Sequence, residues 1–164
     1  SKENVKKIEE IRQRRIDGVK QYFLVLGTVE NSPTRIGTER LLSMIGATDC
    51  WNKKVIVAGY GSERLKMFEN KYIEVKGTVS DDQLGDLISS AIAVLIMHPQ
   101  TTGFLTRLTE LNLADVPVYI LGMYEQAKNL DEYGIFLIDS IDDIPDGLQN
   151  SSNAKYFQRV AFSP

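Results

Sequence analysis

The stretch from Ile92 to Ile120, IAVLIMHPQTTGFLTRLTELNLADVPVYI, restricts the possible folds more than any other part of the chain. It opens with an almost unbroken apolar run, Ile92 to Met97, too short to cross a bilayer and made of residues that suit a strand covered on both faces. Pro99 ends that run, and Thr101, Thr102 and Gly103 supply turn and helix-cap chemistry. From Phe104 the apolar period changes. Phe104, Leu105, Leu108, Leu111 and Leu113 recur at three- and four-residue steps, which predicts an amphipathic helix of about three turns, closed by Asp115. Val116 to Leu121 then reads as a second buried strand. Such a strand–loop–helix–strand unit carries a polar turn to a helix N-terminus, where free backbone N–H groups and the positive end of the dipole can hold an anion.

The same alternation runs through the rest of the chain. Strands are predicted at Gln21 to Gly27, Lys53 to Gly59, Tyr72 to Lys76 and Tyr133 to Asp139. Helical faces fall at Thr34 to Ile45 (Ile36, Leu41, Leu42, Ile45), at Glu63 to Phe68, and after an N-cap at Ser80 through Leu84, Leu87 and Ile88. This order argues for an α/β fold with a doubly wound, mostly parallel six-stranded sheet and helices on both faces. Residues 21–164 read as one domain. Residues 1–20 form a charged helix with a thin stripe of Val5, Ile8, Ile11, Arg15 and Ile16, ended by Gly18. That helix is either a solvated surface element or a connector from a preceding domain. Asp139 to Pro145 reads as an acidic surface connection, and Asn150 to Phe162 as a weak last helix.

Charge and composition exclude several function classes. A net charge of −3 gives no electrostatic case for nucleic acid. One cysteine and one histidine among 164 residues leave neither a disulfide framework nor a metal-ligand cluster, so a reducing, cytosolic setting is expected. No apolar run approaches the roughly twenty residues of a membrane span, and no signal peptide is visible.

Several strands end on a glycine or a small polar turn: Gly27, Gly59-Tyr60-Gly61, Gly77, and Gln100 to Gly103. In an open parallel sheet those carboxyl ends line one crevice, at the point where strand order reverses. Small turns there let a flat, charged ligand reach the backbone, so pattern alone points to a nucleotide-like or phosphorylated ligand. The ordered series VLGTVE, VIVAGYGSERL, VKGTVSDDQLGDLISSAIAVLIMHP and TGFLTRLTELNLADVPVYI goes further. From about Phe23 to Ile138 it resembles the C-terminal, donor-binding half of group-1 family retaining glycosyltransferases of the GT-B architecture, which pair two Rossmann-like domains.

The resemblance implies a site for a nucleotide-diphosphate sugar, UDP- or GDP-linked, with no other cofactor and no catalytic metal. Glu110, the second glutamate of the family's E-x7-E pair, is expected to accept hydrogen bonds from the ribose hydroxyls. Gly103, Phe104, Leu105 and Thr106 are expected to offer amides to the diphosphate. Gly77, Thr78, Val79 and Leu84 would flank the base, Gly27 and Thr28 would approach the phosphates, and Gly59, Tyr60 and Gly61 would sit beside the nucleotide. The family's first glutamate is Thr102 here, its arginine after the first strand is Thr28, and its lysine falls at Ile36, with Arg35 as a stand-in cation. Glu110, Arg35 and Thr102 are thus the positions matching the family's catalytic groups. Losing a cation should weaken diphosphate binding by roughly 1–3 kcal/mol.

Other residues have plainer readings. Arg107, three residues before Glu110, reads first as a surface ion-pair partner, with phosphate contact as the lesser alternative. His98 lies where the fourth strand leaves the sheet, within reach of the donor sugar, although a neutral rim histidine is the commoner outcome. Cys50 and Trp51 read as packing residues. The resemblance further implies that a separate N-terminal domain, in cis or in trans, binds the acceptor. This half alone would then bind donor weakly and transfer little or nothing, and any peripheral contact with the inner face of the membrane would run through that other domain. The rival reading is a non-catalytic binding or scaffolding module with a degenerate donor site, favoured by Thr28, Ile36 and Thr102. A dehydrogenase-type domain is disfavoured, because no G-x-G-x-x-G turn follows the first strand.

Overall fold

Strand β1 (Tyr22–Leu26) shows why the chain forms layers. Its side chains alternate, with Phe23 and Val25 entering one apolar cluster and Tyr22 and Leu24 the other, so both faces of the sheet are buried. The computed structural model describes residues 1–97, 102–122 and 134–144, with residues 102–106 as backbone only. Around β1 lie β2 (Val55–Ala58), β3 (Ile73–Gly77), β4 (Ala91–Ile96), β5 (Val118–Leu121) and β6 (Ile135–Ile138). They pair in parallel throughout, in the order β3-β2-β1-β4-β5-β6. The order reverses at β1 and β4, and this reversal creates a crevice at their carboxyl ends.

Four α-helices are described: α1 (Lys2–Asp17), α2 (Ser32–Ala47), α3 (Asp81–Ser89) and α4 (Thr102–Leu113). A 3-10 segment, Ser62–Phe68, stands where the sequence predicted a short helix. The doubly wound, Rossmann-like architecture expected from the alternation is the one observed. Boundaries differ by a few residues. Helix α2 starts at Ser32 because Asn31 caps it, accepting from the Thr34 amide at 3.4 Å, and α4 begins at Thr102 rather than Phe104. Ile36 does not belong to the buried face of α2; it is 50% exposed, while Thr34, Thr38, Leu41, Leu42 and Ile45 face the sheet. Residues 141–143 add a 3-10 turn whose Ile141 is buried, so the acidic connection is tied to the core rather than lying free. The expected helix at 150–162 lies outside the described residues.

Helix α1 is bound firmly to this frame. Ile8 and Ile11 pack on the α3–α4 side, and Arg15 is 3% exposed. Its guanidinium donates to the carbonyls of Ile88 (2.7 Å), Ala91 (2.6 Å) and Asp115 (3.3 Å), the last residues of α3, the start of β4 and the turn after α4. Burial pushes this guanidinium down to about 10. Arg12 adds a 2.8 Å bond to the Asp115 carboxylate, which raises the Arg12 guanidinium above its ordinary value. Val5 and Ile16, the remaining apolar positions of the stripe, are 64% and 63% exposed.

Candidate functional site

Parallel strands that end together deliver their last backbone groups to one rim. The crevice here has a volume of about 420 Å³. Its floor and near walls come from the ends of β1 (Leu26, Gly27, Thr28), β2 (Ala58, Gly59, Tyr60) and β4 (Val94, Ile96). Asn31 and Thr34 close one side from the start of α2; Val79, Asp81 and Leu84 close the other, and Arg107 and Leu111 of α4 complete the wall.

The glycines at the rim are there for space. Gly59 has φ +141°, and a Cβ on it would lie 2.3 Å from the Gly27 carbonyl oxygen. Strands β1 and β2 therefore end backbone to backbone, with the Gly27 amide donating to the Ala58 carbonyl at 3.4 Å. A Cβ on Gly27 would meet the Thr34 methyl at 3.0 Å, so any side chain there would push into the first turn of α2.

Of the residues expected at the ligand, the structure brings Gly27, Thr28, Gly59, Tyr60, Val79 and Leu84 together in this crevice. Tyr60 stands 61% exposed at its rim, free to lie against a flat ring. Gly61, Gly77 and Thr78 do not line it, because they are occupied in joining β2 to β3. The Gly59 amide donates to the Gly77 carbonyl (3.1 Å), the Gly61 amide to the Thr78 hydroxyl (3.2 Å), and the Thr78 amide to Glu63 Oε1 (2.6 Å). That last bond holds the Glu63 carboxyl below the usual carboxylate range, since it favours the charged form. Arg35 is half-buried on α2 and its side chain is not among those lining the crevice.

The backbone of Thr102, Gly103, Phe104, Leu105 and Thr106 forms the first turn and a half of α4. The Thr102 side chain and His98 lie outside the described residues. Glu110 is half-exposed and faces an adjoining groove of about 270 Å³ between α1, α3 and α4, together with Asn4, Lys7 and Gly85. Asp81, Leu84, Arg107 and Leu111 line both spaces, so groove and crevice share a wall. The wall is fastened by the Arg107 Nη1 bond to Glu110 Oε2 at 3.0 Å.

Sequence reasoning missed Asn31, Thr34 and Asp81 as wall residues, whereas for Arg107 it gives phosphate contact as the lesser alternative. A signal for Arg107 existed, since a residue four positions after Gly103 shares its helix face. Cys50 is exposed, which corrects its reading as a packing residue; Trp51 is buried, tilted on Phe23 with ring centroids 5.8 Å apart. Among the described residues, no three His, Cys, Asp or Glu side chains are grouped to hold a metal ion, and no helix is long and apolar enough to cross a membrane.

An all-parallel doubly wound sheet, with a glycine-rimmed crevice at its switch point and two helix N-termini beside it, defines the class as a Rossmann-like α/β domain. Solved structures that share this architecture are glycosyltransferases. One is the C-terminal domain of a glycosyl transferase group 1 family protein (LpcC) from Francisella tularensis, at 16% identity and a TM-score of 0.55, covering 90% of this chain and 85% of that one. TarM matches at 16% identity and TM-score 0.52, covering 86% of this chain and 30% of its own. The pneumococcal O-GlcNAc transferase GtfA, solved with UDP and GlcNAc, matches at 17% and 0.51, covering 86% and 29%. The chain thus spans about a third of TarM and GtfA. At these identities the likeness establishes the fold. No protein-family model and no curated protein sequence matches.

Proposed function

We propose that this chain is the donor-binding half of a retaining glycosyltransferase, holding a nucleotide-diphosphate sugar for transfer to an acceptor carried by a separate N-terminal domain. The observation that carries the proposal is the crevice at the β1–β4 reversal, whose rim is backbone at Gly27 and Gly59 and whose size suits a nucleotide-scale ligand.

In this reading the base lies between Tyr60 and the Val79–Leu84 wall. The diphosphate meets the amides at the start of α4, where fixed N–H dipoles also stabilise the charge left on the departing diphosphate. Glu110 receives the ribose hydroxyls from its groove, which requires the nucleotide to straddle the shared wall. Thr102 stands where a charged partner to the sugar would be expected, so sugar contacts from this half are neutral. Arg35 lies apart from the lining and serves the leaving group only if its side chain turns toward the start of α2.

The test is calorimetric titration of the chain with UDP, GDP and their sugar conjugates. Binding of one base series in the micromolar to millimolar range is expected, with little transfer in the absence of an acceptor domain. No response to any of them at millimolar concentration overturns the proposal and leaves the scaffolding reading.

A further inference from the structure

The site proposed above has a charge problem. An anionic diphosphate needs a cation as well as helix amides, yet positions 28 and 36 carry threonine and isoleucine, and the Ile36 side chain is half exposed. Arg35 is not in the lining. Among the described residues, the crevice lining contains one cationic side chain, Arg107.

We infer that Arg107 is the diphosphate-binding cation of this site, reaching the phosphates from α4 in place of the basic residues absent beside β1. The inference rests on the donor-site reading. Its geometry comes from the helix. Arg107 lies one turn after Gly103 and one before Leu111, and both Arg107 and Leu111 line the crevice, which puts the guanidinium on its wall on the same helix face as Gly103.

The Glu110 bond does not use up the group. It engages Nη1, while a guanidinium has five N–H donors in a planar fork, which leaves Nε and Nη2 for a phosphate. With both side chains 36–43% exposed, the pair is held weakly enough to rearrange around a ligand. Arg107 would then touch phosphate on the crevice side, while Glu110 meets the ribose on the other side of the shared wall without depending on the arginine. A lysine at 107 would supply charge but not this fork.

The experiment is an NMR titration of the full chain with UDP, GDP, uridine and guanosine, for the wild type and Arg107→Gln, Arg107→Lys, Arg35→Gln and Glu110→Gln. Arg107→Gln should weaken nucleoside diphosphate binding by roughly 10- to 100-fold and leave nucleoside binding unchanged. Arg107→Lys should recover part of the loss, and Arg35→Gln should match the wild type. Glu110→Gln should weaken nucleoside and diphosphate alike, which separates the phosphate contact from any effect passed through Glu110. Wild-type diphosphate affinity in Arg107→Gln, or the loss appearing in Arg35→Gln instead, overturns the inference while leaving the donor site standing. A wild-type chain that binds no diphosphate overturns both.

Discussion

Replacing Arg15 by alanine tests whether α1 is an integral part of the domain or a detachable connector. Two short bonds from a charged donor, at 2.7 Å to Ile88 and 2.6 Å to Ala91, are worth about 1.5–3 kcal/mol each, and the 3.3 Å bond to Asp115 adds little. Against this about 3–6 kcal/mol stands the cost of keeping the charge out of water. The lowering of the guanidinium to about 10 by burial corresponds to about 3 kcal/mol. The net contribution in the native chain is therefore about 0–3 kcal/mol. Alanine also leaves the Ala91 carbonyl without its 2.6 Å donor and opens space where the side-chain stem packed, whereas the Ile88 carbonyl keeps the Ser90 amide. The expected destabilisation is about 2–4 kcal/mol, read from urea unfolding followed by circular dichroism, and Arg15→Met should recover about 1 kcal/mol of it through stem packing. Limited proteolysis should begin to cut near residues 17–20 in the alanine variant before the sheet is attacked. A loss below about 1 kcal/mol, with unchanged proteolysis, would refute the reasoning and make α1 a surface attachment.

Gly59→Ala places a methyl 2.3 Å from the Gly27 carbonyl oxygen at φ +141°, and should cost about 2–4 kcal/mol while narrowing the crevice; thermal unfolding and the diphosphate titration measure the two effects separately. Glu63 is depressed in the folded chain by the Thr78 amide, so its contribution is present above the unfolded carboxyl value of 4.5 and is lost as pH falls through the lowered folded value. Carbon-detected NMR titration should place Glu63 below 4.5, and Glu63→Gln should flatten the stability profile in that acidic window.

Much of the frame was legible because its signals are local. A strand covered on both faces must be apolar at successive positions, as AIAVLI in β4 and YFLVL in β1 are, and any side chain at Gly59 would press on the Gly27 backbone. Local signals also misled. Ile36 looked like a core position by type, but α2 turns the face of Thr34, Thr38 and Leu41 inward, since the buried stripe is set by the sheet beneath it. Gly61, Gly77 and Thr78 have the composition of ligand turns, yet their polar groups are used within the β2–β3 edge.

What the sequence determined by itself was the alternation of strands and helices, and with it a parallel sheet whose glycine turns share one rim. Only the tertiary structure decided how α4 is rotated. Leu108 and Leu111 are buried among the residues of the sheet and α3, and that packing sets Arg107 on the wall between crevice and groove and Glu110 in the groove beneath α1. The physical reason is that a helix carries its side chains at fixed angles about its axis, so burying two of them settles the direction of all the others.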